Sequence, residues 1–146
     1  MPDKVHRLDL GFVPDSAVAG AVLLQDEFST FLTFNGQQSG SFEDVGTGII
    51  EFDLCSVSRF GYPNDEALSG HSLYRSGLRH YAVFEIQDSS WIREITEANR
   101  VSFPDTPNDT TSHHYVFTFH DSTFERIAHG LHARLDTRPF SEIVSE

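Results

Sequence analysis

The segment His113-His114-Tyr115-Val116-Phe117-Thr118-Phe119-His120-Asp121-Ser122-Thr123-Phe124-Glu125 constrains the fold more than any other. Tyr115, Phe117 and Phe119 fall on one side of an extended chain, and His114, Val116, Thr118 and His120 fall on the other. Successive side chains of a strand point to opposite faces of its sheet. One face is therefore built for burial, and the other is expected to present polar chemistry. The strand runs into a turn rich in His, Asp, Thr and Glu, and a functional site is expected near that turn.

Similar alternation recurs along the chain. Ile50, Phe52 and Leu54 alternate with Glu51, Asp53 and Cys55, the pattern of an antiparallel strand over 49–57 with one face on a core. Ala82, Phe84 and Ile86 share one face of a strand over 81–87. Further strands are expected over 5–13, 20–25 and 28–34, with Asn35-Gly36 as a turn and 36–46 as a loop. Asp88-Ser89-Ser90 offers N-cap residues, and Trp91, Ile92, Ile95 and Ala98 follow at helical spacing, which predicts a short helix over 90–99. The segment 122–135 fits two patterns. Phe124, Ile127, Ala128, Leu131 and Leu135 have helical spacing, and Ser122 with Glu125 matches a capping box. Ile127, Leu131, Ala133 and Leu135 also alternate as in a strand. The helix is the preferred reading and the strand its alternative. Strands and helices do not alternate regularly, so a wound parallel sheet is not expected. The expected fold is a single α+β domain over 1–146, with five to seven antiparallel strands, one or two short helices and a loose tail after about 139. Phe52, Leu54, Phe84, Ile86, Phe117 and Phe119 are expected to face one core.

Charge limits the partners. The formal net charge is −12 and Lys4 is the sole lysine, which argues against a nucleic-acid backbone as partner. Such acidity serves solubility or the docking of a basic partner. No stretch approaches the roughly 20 apolar residues of a membrane span, and the charged N-terminus is not followed by an apolar run. A soluble cytoplasmic protein without membrane contact is the expectation. The single cysteine, Cys55, cannot form an internal disulfide and reads as a small half-buried residue rather than a nucleophile.

Two groups of residues could carry chemistry. Asp121, Glu125, His129 and His132 fall in a narrow sector if 122–135 is helical, and carboxylate with imidazole suits a transition metal. The plainer reading is a solvated helix face, acidic at its start and His-bearing at its end, as the helix dipole favours. The long connection over 60–80 offers Tyr62, Asn64, Asp65, Glu66, His71 and Tyr74, a mixture that suits a small polar ligand or a protein partner. Its plainer reading is an ordered loop with an Asx turn at Asn64-Asp65. Antiparallel pairing of 81–87 with 114–120 would bring the His120-Asp121-Ser122 turn to the end of the sheet where this loop arrives. A pocket shared by His120, Asp121 and either His71 or Tyr74 is expected there. No phosphate-binding glycine loop, dinucleotide fingerprint or cysteine metal knuckle is present. His120-Asp121-Ser122 is not read as a hydrolytic triad, because neighbours on a strand face opposite ways. The favoured function is a binding protein that docks or neutralises a basic partner. The alternative is a small enzyme or metal-dependent ligand binder at the His/Asp/Glu-rich turn and the 60–80 loop.

Overall fold

In a computed structural model, which describes residues 3–16, 20–27, 29–40, 43–53 and 57–138, the alternating segments become ten strands. They are β1 (Lys4–Arg7), β2 (Val13–Pro14), β3 (Val22–Gln25), β4 (Thr30–Gln37), β5 (Asp44–Asp53), β6 (Val57–Gly61), β7 (Val83–Gln87), β8 (His113–Thr118), β9 (Thr123–Ala128) and β10 (Gly130–Asp136). One helix, α1 (Ser90–Ser102), joins β7 to β8. Single 3-10 turns at Leu68–Gly70 and Tyr74–Ser76 interrupt the connection from β6 to β7. The α+β class and the antiparallel pairing are those expected. The strands number ten because the segments 5–13, 49–57 and 122–135 each divide in two. Among the described residues no helix is long and apolar enough to cross a membrane.

All pairings are antiparallel and form two five-stranded sheets. The first runs β1-β7-β8-β9-β6, and the second runs β10-β5-β4-β2 with β3 also on β4. His129 alone separates β9 from β10, and its N–H donates to the Asp53 carbonyl (2.8 Å), so the chain passes from one sheet to the other at a single residue. Segment 122–135 thus forms two strands, not a helix. Its apolar residues satisfy both periods, and pairing of β9 with β8 and of β10 with β5 selects the strand.

Between the sheets lies a core of Phe12, Leu32, Phe34, Ile50, Phe52, Val83, Tyr115, Phe117, Phe119, Phe124 and Ala128. Phe117 is fully buried and packs edge-on against Phe34, Phe52 and Phe124 at centroid distances of 6.0, 5.9 and 6.1 Å. Burying one such ring contributes roughly 1.5–3 kcal/mol. Phe84 and Ile86 do not join this core. Phe84 pairs with Val116 and Ile86 with His114, so both take the outer face of the first sheet. There they pack with Leu68, Leu73, Leu78, Ala82 and Val116 in a second core. Leu54 and Cys55 lie outside the described residues, as does the tail beyond 138. The outer face of the first sheet, expected to be open, is therefore roofed by the 62–82 connection and α1. His114, Val116 and Thr118 are all buried.

Asn35-Gly36 is not a turn. Strand β4 continues through it, with Gly36 opposite Gly46 and Phe34 opposite Gly48. A Cβ on Gly48 would overlap the Phe12 ring, so the glycines here make room for aromatic packing rather than break the strand. Helix α1 starts where expected, because the Ser89 side chain accepts the Ile92 N–H (3.2 Å). It runs three residues past the expected end and stops before Pro104, at Phe103, whose φ of −131° and ψ of 79° are non-helical.

Candidate functional site

The residues singled out in the sequence separate into three places. Glu125 sits mid-strand in β9 on the roofed face, with a side chain 8% exposed. Its Oε2 receives His71 Nε2 and its Oε1 receives His114 Nε2, both at 2.8 Å. The Leu73 N–H donates to His71 Nδ1 (3.0 Å), so His71 carries its proton on Nε2 and donates it to the carboxylate. His114 Nδ1 meets Ser89 Oγ at 2.7 Å, and that hydroxyl oxygen also accepts the Ile92 N–H. Burial pushes the Glu125 carboxyl up, but the bonds from His114 and then His71 prevail and hold it at about 2. Trp91 packs edge-on against His114 at 5.1 Å, and the Arg59 guanidinium lies over the indole at 3.9 Å. Glu125, His71, His114 and Ser89 all find their partners inside the protein. The assembly fastens the roof to the sheet.

The second place is the meeting of the 62–66 stretch with the 120–122 turn. Asp65 N–H donates to the His120 carbonyl (3.0 Å), and Thr123 Oγ donates to the Pro63 carbonyl (2.8 Å). Asp65 Oδ2 receives both His120 Nδ1 (2.8 Å) and the Tyr81 hydroxyl. The Tyr81 bond, then the His120 bond, lower the Asp65 carboxyl against the opposing effect of desolvation. Desolvation and the Asp65 contact push the Tyr81 phenol up to about 12. Tyr81 has φ of +51°, an unusual conformation for a bulky residue. His120 is half-exposed, and its Nε2 lies 3.8 Å from Asp121 Oδ1. The turn and the loop thus adjoin through Asp65, with His71 turned away to Glu125. Tyr74 instead lies under the Arg79 guanidinium (4.5 Å). Asn64 Oδ1 accepts the Ala67 N–H three residues on (3.0 Å), a capping bond rather than the expected Asx turn, and Tyr62 and Glu66 are exposed.

The set Asp121, Glu125, His129 and His132 does not converge. Asp121 and His129 are exposed, Glu125 is buried under the roof, and His132 sits on the second sheet with Asp53 Oδ2 at 2.8 Å. The sector that would have gathered them exists only on a helix. No group of three or more His, Cys, Asp or Glu side chains suited to a metal occurs among the described residues.

The third place was not singled out in the sequence. A groove of about 740 Å³ lies between α1, the end of β7 and the 104–113 connection. Its charged lining comprises Glu85, Asp88, Glu97 and Asp109 against Arg93 and Arg100, together with His113. Arg100 fixes the far wall: its Nε donates to the Thr106 carbonyl and its Nη2 to Asn108 Oδ1, both at 2.9 Å. Asp109 Oδ1 then accepts the Thr111 and Ser112 N–H groups (3.0 and 2.9 Å), which shapes the loop. Those bonds lower the Asp109 carboxyl although desolvation raises it. Glu85 Oε2 meets His113 Nδ1 at 2.9 Å on the floor. At the helix end beside this region, Val101 and Phe103 stand 85% and 71% exposed. The visible signal was the polar stripe Arg93, Glu97, Arg100 at helical spacing, but the opposing wall comes from residues 104–113 and no spacing rule links the two.

No protein-family model, curated protein or solved structure matches this chain.

Proposed function

We propose that this is a binding protein that takes a basic polypeptide segment in the groove along α1. The observation that carries this reading is the groove's charge: four carboxylates line it against two guanidiniums, and once Arg100 is paired with Glu97, three carboxylates stand against Arg93. A cleft between low-dielectric walls concentrates the field of its charges. The net charge of −12 adds a long-range attraction for cations. Val101 and Phe103 supply exposed apolar surface at the same end of the helix, where an amphipathic partner would gain contact area.

Titration of the 15N-labelled protein with a Lys/Arg-rich peptide tests this. Amide shifts are expected in α1 and in 104–113, weakening as salt is raised through the range that screens surface charge. A Glu-rich peptide of the same length should cause none. Glu85→Gln and Glu97→Gln should each weaken binding by about two- to fivefold, the usual scale for accessible ion pairs. Shifts spread evenly over the surface, or equal for both peptides, would show that the groove selects nothing.

A second reading, a small enzyme or small-ligand binder, is supported by His120. Its Nδ1 is held by Asp65, which leaves Nε2 at a half-exposed surface, the arrangement of an imidazole oriented for proton exchange. Small polar compounds that perturb the His120 ring and leave α1 unmoved would select this reading over the first.

A further inference from the structure

Arg126, on the inner face of β9, is the largest fully buried side chain among the described residues. Its guanidinium has one hydrogen-bond acceptor, the neutral Gln25 Oε1, 3.0 Å from Nη1, and that oxygen also accepts Ser58 Oγ at 2.9 Å. Nε–H has no acceptor at all. Among the described residues no carboxylate pairs with this arginine. A guanidinium does not deprotonate inside proteins, so the positive charge stays in the core. Burying such a charge without a counter-charge is strongly unfavourable. Thr30 Oγ1 is likewise buried and without a partner. Both orphans border the same two residues. Thr30 pairs across the second sheet with Phe52 on one side and Gln25 on the other. Arg126 bonds to Gln25 and lies over the Phe52 ring at 5.8 Å.

The geometry points to a binding site for a single small monovalent inorganic anion, of the halide class, between Arg126 Nε and Thr30 Oγ1. Each of these groups holds an unused donor beside Gln25 and Phe52, next to a positive charge with no carboxylate paired to it, and an anion between them would accept from both while balancing that charge. A water molecule could accept the same hydrogen bonds but would leave the charge unbalanced. Phe52 packs against Tyr115 (6.1 Å) and Phe124 (5.8 Å), and such close-packed surroundings suit a small spherical anion. The overall acidity of the chain repels anions from its surface, so a halide held here is held by this niche.

Thermal unfolding of the whole protein in chloride or bromide, balanced with gluconate at fixed ionic strength, tests the site. Ligands that bind only the folded state raise its midpoint in a saturable way. The wild-type midpoint is expected to climb by a few degrees and level off as halide replaces gluconate, with about that scale set by a one-site ligand on a chain of this length. Arg126→Met, which removes charge and donors at similar volume, should abolish the dependence. Thr30→Val keeps the charge and removes one donor, so its apparent halide affinity should fall by about tenfold. Crystals grown in bromide should show one anomalous peak beside Arg126. A wild-type midpoint identical in halide and gluconate would overturn the site in favour of a buried water. A halide response retained in full by Arg126→Met, or by Thr30→Val if Arg126→Met does not fold, would overturn it as well.

Discussion

Replacing Glu125 with Gln tests the roof of the first sheet more sharply than any other change. Gln keeps the shape of the protonated acid but not the charge, so it leaves one of the two imidazole N–H donors facing an amide NH2. The magnitude follows from the carboxyl's displacement. Its value falls from the usual 4.5 to about 2 in the folded chain, where burial is outweighed by the bonds from His114 and His71. A depressed carboxyl contributes stability that is fully present above the unfolded value and is lost as the pH falls through the folded one. At about 1.4 kcal/mol per pKa unit, the carboxylate contributes about 3 kcal/mol at neutral pH, lost between pH 4.5 and pH 2. Glu125→Gln should therefore unfold with about 3 kcal/mol less stability than wild type at pH 7, and the gap should close as the pH approaches 2. Urea unfolding followed by far-ultraviolet circular dichroism across that range measures it. Asp65, Asp109 and Asp136, which are also held low, titrate in both proteins and cancel in the difference. A gap that stays constant from pH 6 to pH 2.5 would refute the argument, because the charge of Glu125 would then play no part in it.

Three other outcomes follow from packing. Phe117→Ala empties a fully buried ring site and should cost about 3–5 kcal/mol in denaturant unfolding, with a loss under about 1 kcal/mol contradicting the core assignment. Trp91 is the sole tryptophan and is enclosed by His114 and Arg59, so its emission should be blue-shifted in the folded protein and move to that of exposed indole in urea; water-like emission before unfolding would show the helix is not docked. Gly46→Ala combines a φ of +117° with overlap onto the Asp136 carbonyl, and should cost at least about 2 kcal/mol by thermal or urea unfolding, where a near-neutral effect would mean that β10 does not lie over this glycine.

Local features of this fold were legible in the sequence and relational ones were not. Ser89 caps α1 through a bond to a residue three positions on, so the signal and its cause share one short window. The alternation over 113–119 likewise reports its own strand. Which face of a neighbouring strand matches it depends on register, and register is a property of two strands. Alternation alone therefore groups Phe84 with Phe117, although it pairs with Val116. Segment 122–135 reads as helix from the sequence because its apolar residues fit either period, and the deciding fact is the presence of β8 and β5 alongside. The polar face of β8 looked like an exposed one because His114 and Thr118 are polar. They are buried because residues far away in the chain bring partners for them: Glu125 and Ser89 for His114, and the Arg79 carbonyl for Thr118. His71 reaches Glu125 across 54 positions, a separation for which no spacing rule exists. The α1 groove is not legible in the sequence either, since no spacing rule brings residues 104–113 back over the polar stripe of α1.

The line of bonds from the Ile92 amide through Ser89, His114, Glu125 and His71 to the Leu73 amide joins the first turn of α1 to the 62–82 roof through the sheet beneath. Neither covering can lift without stranding a buried member of the His114–Glu125 pair on which the other also rests. Helix and roof should consequently open as one cooperative unit, and their slow amides should exchange with deuterium at a common free energy, below that of β8 and β9. A protein that holds a partner along α1 would then protect the amides around Leu73 on the far side of that line, without touching them.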